Sequence, residues 1–194
     1  TEQAQFSKAR ELMEEIKTPS KTAPLAPYKQ HSLKELLAEL SNLEGLTAIK
    51  RKILLIVHKS KVDKALSEHD LSPTASINLN LQFVGAPGTG KSTVARLYGK
   101  ILARLNLLKT GDFHEFRREH LMSIWIGSPA EKTKEAFLAS LGGVMFIDEF
   151  HNIDQTDNDH KDTFGREALK TLVGLLTDPA YENKLVLIVA GYTK

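Results

Sequence analysis

The sequence contains no cysteine, and this absence excludes several kinds of chemistry at once. Disulfide bonds, thiolate metal sites and cysteine nucleophiles all require cysteine thiols. The sequence also lacks a large excess of either positive or negative charge, because the formal net charge of the 194 residues is only +2. A strong electrostatic field for nucleic acid is therefore not indicated. No apolar run approaches the roughly 20 residues that a membrane helix requires, so we expect no membrane partner.

The first residues lack the apolar core of a secretion signal, because Glu11, Glu14 and Glu15 interrupt them. We therefore expect a cytoplasmic location. What the sequence does contain is 41% hydrophobic and 26% charged residues, which is typical of a globular protein.

Residues 1–31 differ in pattern from the rest of the chain. Apolar residues at helical spacing predict a short helix over residues 4–17, which either packs on the main body or docks a partner. Three prolines within residues 18–30 predict a linker. We therefore divide the chain into an N-terminal helix with its linker, residues 1–31, and one domain over residues 32–194.

A glycine-rich turn stands between a strand-like run, residues 79–84, and a helix-like run, residues 92–102. The turn itself, residues 85–92, has the sequence GAPGTGKS. Glycine permits the backbone bends that let consecutive N–H groups face one anion, and the helix adds the positive end of its dipole. Because the pattern G-x-x-x-x-G-K-S stands between a strand and a helix, it predicts a phosphate-binding loop, or P-loop.

The same pattern assigns roles to side chains. Lys91 can reach the β- and γ-phosphates of a nucleotide, and the hydroxyl of Ser92 is suited to Mg²⁺. An accidental glycine turn before a helix is the alternative, and the match at all four fixed positions argues against it. The predicted phosphate-binding residues share the loop or the first helical turn and are Pro87, Gly88, Thr89, Gly90, Lys91, Ser92 and Thr93.

Two carboxylates follow a second apolar run. Residues 144–147, VMFI, are continuously apolar, as a buried parallel strand is, and Asp148 and Glu149 come next. Asp148 can hold Mg²⁺ through water, and Glu149 can act as general base on the attacking water. Many strands end in acids, so it is the occurrence on a separate strand after the P-loop that makes the pattern informative.

Strand-like and helical runs alternate along the chain, which predicts an α/β fold in three layers around a parallel sheet. Ser32 and Glu35 form a capping-box pattern at the start of the first of these helices. Further strands are predicted over residues 113–118 and 184–190, and further helices over residues 47–67, 129–140 and 164–177.

Taken together, these motifs resemble an AAA+ ATPase of the CbxX/CfqX family, which includes red-type Rubisco activase, stage V sporulation protein K and the cytosolic ATPases of type VII secretion. The resemblance covers roughly residues 32–194 and implies the large subdomain of a P-loop NTPase. The stretches that carry it are residues 43–50 (LEGLTAIK), 85–96 (GAPGTGKSTVAR), 141–149 (LGGVMFIDE), 164–168 (FGREA) and 189–192 (VAGY).

The resemblance implies ATP and Mg²⁺ as cofactors and extends the list of site residues. Gly45 and Leu46 would lie beside the adenine, although a helix-breaking glycine is an equal alternative. Thr193 falls near sensor 1, a polar residue at the tip of the fourth strand, and an ordinary surface residue is the alternative. Trp125, Ile126 and Gly127 match the aromatic–aliphatic–glycine pore loop that grips a peptide in substrate-threading rings, and a buried core tryptophan is the alternative.

As partners, the resemblance implies a protein client and self-association into a ring, for which we expect six subunits. It also implies a fifth strand, an arginine finger and a helical lid with sensor 2 beyond Lys194. We therefore expect the chain to be truncated before those parts and to hydrolyse ATP slowly by itself, since a trans arginine finger accelerates GTPases by about 10³–10⁵.

Other functions stay open. A GTPase would need an N/T-K-x-D motif, and residues 133–136, TKEA, lack the aspartate. A nucleotide-dependent scaffold or switch is a second alternative. A nucleic-acid-acting AAA+ protein is a third; the basic face of the helix over residues 47–67 has no aromatic residue to stack on bases.

Overall fold

A computed structural model describes residues 31–72, 78–122, 128–153 and 163–192. The helix predicted over residues 4–17 and the linker predicted over residues 18–30 lie outside these ranges, as do residues 154–162. The helices are α1 (Leu33–Asn42), α2 (Thr47–Glu68), α3 (Lys91–Arg104), α4 (Arg118–Leu121), α5 (Pro129–Ala139) and α6 (Thr163–Thr177), and the strands are β1 (Leu81–Val84), β2 (Phe113–Phe116), β3 (Val144–Ile147) and β4 (Val186–Gly191).

The strands form one parallel sheet in the order β1-β4-β3-β2. Leu81 pairs with Ile188, Val144 pairs with Val186, and Phe113 pairs with Val144. Because β4 inserts between β1 and β3, the loops after β1, β3 and β4 emerge side by side at the carboxyl edge. In open α/β sheets that edge is where ligands bind.

Each face of the sheet carries its own apolar core, since side chains alternate along a strand. Val144 and Phe146 of β3 pack with α1, α2 and α3, whereas Met145 and Ile147 pack with α4, α5 and α6. These two cores, one on each side, give the three layers that the alternation of strands and helices predicts. The predicted α/β fold class is confirmed.

Helix starts follow local chemistry. The Ser32 N–H donates to Glu35 at 2.6 Å and the Glu35 N–H donates to the Ser32 hydroxyl at 3.2 Å, so the predicted capping box is formed. The backbone hydrogen bond from Ser32 lowers the pKa of the Glu35 carboxyl. Ser128 and Glu131 form a second capping box, which begins α5 one residue before a proline at its first position.

The predicted first strand is too long, because β1 begins at Leu81 and not at residue 79. The Asn80 side chain accepts a hydrogen bond of 2.8 Å from the Leu187 N–H and takes the place of a backbone partner in the ladder. Leu79 instead accepts a bond of 3.0 Å from the hydroxyl of Tyr98, whose pKa is raised by burial.

The strand predicted over residues 113–118 is partly wrong, because β2 ends at Phe116 and Arg118 begins α4. The Arg117 N–H leaves the ladder and donates to Nδ1 of His120 at 2.9 Å, which turns the chain into a helix. The last strand is likewise shifted, from residues 184–190 to Val186–Gly191. No helix in the described part of the chain combines the length and apolar character that crossing a bilayer requires.

Candidate functional site

The glycine-rich loop runs from the end of β1 into α3. Gly88 and Gly90 have φ angles of 75° and 81°, a left-handed conformation that favours glycine. The Gly85 N–H donates to the Gly191 carbonyl at 3.1 Å, so the loop begins tied to the end of β4. The Thr89 hydroxyl donates to the Ala86 carbonyl at 2.8 Å and closes the turn.

Lys91, the first residue of α3, folds back over this loop. Its Nζ donates to the carbonyl oxygens of Gly85 and Ala86, each at 2.9 Å. The ammonium is thereby held beside the N-terminus of α3, where free backbone N–H groups and the helix dipole favour an anion. Backbone donors, a lysine and a helix N-terminus together suit a phosphate group.

Asp148 and Glu149 follow β3 directly. The Asp148 N–H donates to the Phe116 carbonyl at 2.9 Å, which extends the pairing between β3 and β2 by one bond. The Glu149 N–H donates to Oδ1 of Asp148 at 2.9 Å and orients that carboxylate. Glu149 is exposed and Asp148 is half-buried, so both carboxylates can meet a ligand at this edge.

These two constellations line one cavity of about 280 Å³. Lys91 and Ser92 approach it from the P-loop side, and Asp148 and Glu149 approach it from the end of β3. Its donor set fits a magnesium–phosphate group, because oxygen ligands and a lysine are present together. Pro87, Gly88 and Gly90 complete the predicted phosphate-binding residues in its wall.

A second cavity, of about 530 Å³, adjoins the first and shares Gly88 and Gly90 with it. Gly45 and Leu46, from the turn between α1 and α2, form one wall, while Thr93 and Val94 of α3 stand in another. Thr89 lines this cavity as well. Its size and largely apolar wall fit a planar base. The structure thus brings the predicted adenine and phosphate residues to one continuous site.

Backbone conformation marks the same place. Among the described residues, the non-glycine residues with positive φ include three Asn or Asp residues, which tolerate that conformation, together with Leu46 and Glu149. Leu46 and Glu149 both have φ of 51°, and both line the candidate site. Such strain, about 1–3 kcal/mol per residue, is typical of functional positions.

The structure adds residues that the sequence analysis missed. Arg117 and Tyr192, which follow β2 and β4, also line the phosphate cavity. The Asn152 amide donates to the Glu149 carboxylate at 3.1 Å. The signal that could have found Arg117 and Tyr192 is their place directly after a parallel strand. No local pattern in the sequence indicates the contact of Asn152.

Four predicted residues lie outside the described ranges. They are Thr193, the candidate for sensor 1, and the candidate pore loop of Trp125, Ile126 and Gly127. Tyr192, the residue before Thr193 in sequence, lines the phosphate cavity. Met122 and Ser128 are the described residues on either side of positions 123–127. The roles of all four stay predictions.

Comparison with known proteins identifies the family of the chain. Residues 81–194 match the profile of the family described as "ATPase family associated with various cellular activities (AAA)". The match begins at β1 and includes the P-loop and both carboxylates after β3.

Curated relatives extend the similarity to α1 and α2. The chain is 39% identical over 166 residues to stage V sporulation protein K of Bacillus subtilis. This alignment covers 86% of the chain and 50% of that protein. The chain is 35% identical over 168 residues to protein CfxQ of Xanthobacter flavus, covering 86% and 51%. It is also 35% identical over 179 residues to the chloroplastic ribulose bisphosphate carboxylase/oxygenase activase of Cyanidioschyzon merolae, covering 91% and 59%. The chain spans about half the length of these relatives.

Proposed function

Because this chain belongs to the AAA family of ATPases, with relatives of the CfxQ type, we propose that it binds ATP with Mg²⁺ and hydrolyses the ATP to remodel or thread a protein client within a ring of identical subunits. The observation that carries the proposal is the shared cavity of Lys91, Ser92, Asp148 and Glu149. P-loop NTPases use these residue types to hold phosphates and metal and to orient water.

Each residue then has a chemical role. ATP, when bound, supplies the γ-phosphoryl group that is transferred to water. Lys91 would balance charge on the β- and γ-phosphates, and Ser92 and Asp148 would hold Mg²⁺, Asp148 through water. Glu149 accepts the proton of the attacking water. Thr193 would hydrogen-bond a water or phosphate oxygen beside it.

The turn between α1 and α2 would recognise the base. Gly45 and Leu46 line the larger cavity together with the P-loop glycines. Backbone groups of Gly45 and Leu46 would bind the adenine, and Thr93 with Val94 would contact the nucleotide from α3. The Lys50 ammonium, in the first turn of α2, donates to the Leu43 carbonyl at the end of α1 and so links the two sides of this turn. This hydrogen bond would hold Gly45 and Leu46 in position before adenine binds.

A protein client is the second half of the proposal. One relative is by its name an activase of ribulose bisphosphate carboxylase/oxygenase, which is itself a protein. Trp125 and Ile126 would supply the large apolar grip on a polypeptide, with Gly127 next to them. A cytoplasmic location is part of the same proposal, although relatives include a chloroplastic protein.

The first test is nucleotide binding and turnover by the chain with Lys91→Ala and Glu149→Gln variants. We expect MgATP to bind the wild type and Glu149→Gln, and to bind Lys91→Ala at least about tenfold more weakly, since a charge-assisted contact is lost. Calorimetry measures binding, and release of phosphate measures turnover. Turnover by Glu149→Gln at the wild-type rate would refute the role of Glu149.

The client is tested by adding a protein probe to the chain in the presence of MgATP. A labelled unfolded polypeptide serves as probe, and Trp125→Ala is compared with the wild type. We expect Trp125→Ala to keep ATP turnover and to lose stimulation by the probe. Unfolding of Trp125→Ala would instead make Trp125 a core residue. Binding of ATP with no turnover, with or without the probe, would favour a nucleotide-dependent scaffold.

A further inference from the structure

Asn152 contacts Glu149 through both its backbone and its side chain. The Asn152 N–H donates to the Glu149 carbonyl at 2.8 Å, which closes the 3₁₀ turn Phe150–Asn152. The Asn152 amide nitrogen donates to Oε2 of the Glu149 carboxylate at 3.1 Å. A carboxylate can only accept, so the nitrogen of the amide must be the atom that faces it. Two bonds between the same two residues restrict both the main chain and the side chain of Glu149.

The contact leaves Glu149 available to the cavity. A carboxylate has two oxygens, and Asn152 binds Oε2 while Oε1 has the other lone pairs for a water molecule. Glu149 lines the phosphate cavity, whereas Asn152 is not among the described residues of its wall. The amide thus acts on the carboxylate from outside the place where nucleotide would bind.

Asn152 is itself anchored by a second element. Nη1 of Arg118, at the start of α4, donates to the Asn152 carbonyl at 2.5 Å and to the Ile153 carbonyl at 3.1 Å. Ile153 is buried in the core beneath. The short turn after Glu149 is therefore fixed between a half-buried guanidinium and the core, and it carries the amide with it.

We propose that Asn152 is a positioning residue for the general base, Glu149, and that Arg118 fixes the turn that contains Asn152. Helix α4 and the turn after β3 then together set the orientation of the Glu149 carboxylate. A base that is oriented by a third group is a common requirement of efficient proton transfer. The inference rests on the proposed function, because it assumes that Glu149 activates water.

The test is single-turnover hydrolysis of ATP with the chain in excess, which suits a slow catalyst. We expect Asn152→Ala to lower the rate about tenfold, because a hydrogen bond to a charged group is lost. Asn152→Asp keeps the shape but sets a second carboxylate against Glu149, so its rate should fall further. Asn42→Ala, an exposed asparagine in α1, is the matched control and should keep the wild-type rate.

A double-mutant cycle separates positioning from structure. If Asn152 acts through Glu149, the Asn152→Ala loss should shrink to less than about twofold in a Glu149→Gln background. ATP affinity and the urea midpoint should stay within error of the wild type. An undiminished loss in the Glu149→Gln background, or a wild-type rate for Asn152→Ala, would overturn the proposal.

Arg118 offers a second, graded test. Arg118→Lys keeps one donor and the charge, so it should retain more of the rate than Arg118→Ala; equal losses would remove Arg118 from the proposal. Failure of the proposed function looks different, because the wild-type chain itself would not bind MgATP. That result would overturn this inference too. Normal binding and turnover with an unaffected Asn152→Ala variant would overturn this inference alone.

Discussion

At the scale of single residues, His151 lies beside the candidate site, and its two ring nitrogens are buried without hydrogen bonds to any of the described residues. The ring packs edge-on against Tyr192, with centroids 4.1 Å apart. A β-carbon at Gly191 would come within 3.2 Å of its Nδ1. The imidazole therefore serves as a packing group between the turn after β3 and the end of β4.

We expect His151→Phe to keep this packing and to remove two unsatisfied nitrogens. The free energy of unfolding should stay constant or rise by about 1 kcal/mol, because unpaired buried polar groups destabilise the folded state. Urea denaturation measures it, with His151→Ala as the control that loses the ring and about 1–3 kcal/mol. A loss above about 1 kcal/mol in His151→Phe would mean that a nitrogen is hydrogen-bonded after all.

At the scale of elements, the distance between α3 and the sheet depends on one glycine. A β-carbon on Gly99 would lie 2.8 Å from Cγ2 of Val144, a buried side chain of β3. Val144 is branched at its β-carbon and fully buried, so it has little freedom to move aside. The P-loop and the carboxylates after β3 sit at the ends of these two elements, and their separation therefore depends on this contact.

Gly99→Ala should destabilise the protein by about 1–3 kcal/mol, since overpacking outweighs the better helix propensity of alanine. Gly174→Ala is the matched control, because Gly174 also lies inside a helix, α6, and its β-carbon would meet nothing within 4 Å. That control should gain about 0.5–1 kcal/mol. Thermal or urea unfolding distinguishes the two, and equal effects at both positions would contradict the contact argument.

At the scale of the whole molecule, the site joins segments that are distant in sequence. The turn between α1 and α2, the P-loop and the ends of β3 and β4 all line the two adjoining cavities. The α1–α2 pair packs on the sheet through the same core as α3. A nucleotide that fills both cavities would bridge the helical pair and the sheet, and it would stabilise the folded state as a whole.

MgATP at about 100 times its dissociation constant should therefore stabilise the wild type by about 2.7 kcal/mol. For a chain of this size that corresponds to a rise in melting temperature of roughly 5–10 °C. Lys91→Ala should show a much smaller rise at the same concentration. Differential scanning fluorimetry checks this, and an equal rise in both proteins would place ATP elsewhere.

Local patterns in the sequence determined much of the architecture and the chemistry. The glycines before Lys91 predict the P-loop because only certain residues adopt its backbone angles, and the capping box at Ser32 predicts the start of α1 because its bonds span three residues. Apolar runs predict buried strands because a parallel sheet covers both of their faces. Each of these signals is complete within about ten residues of the chain.

Only the tertiary structure decided which of these parts meet. It placed β4 between β1 and β3, which brought Gly191 to the P-loop. It set Leu46 against the P-loop and turned the Asn152 amide toward Glu149. It ended β2 at Phe116, because the next backbone N–H, that of Arg117, donates to the side chain of His120. These outcomes depend on packing between distant elements and on competition for single hydrogen bonds, and a local pattern contains neither.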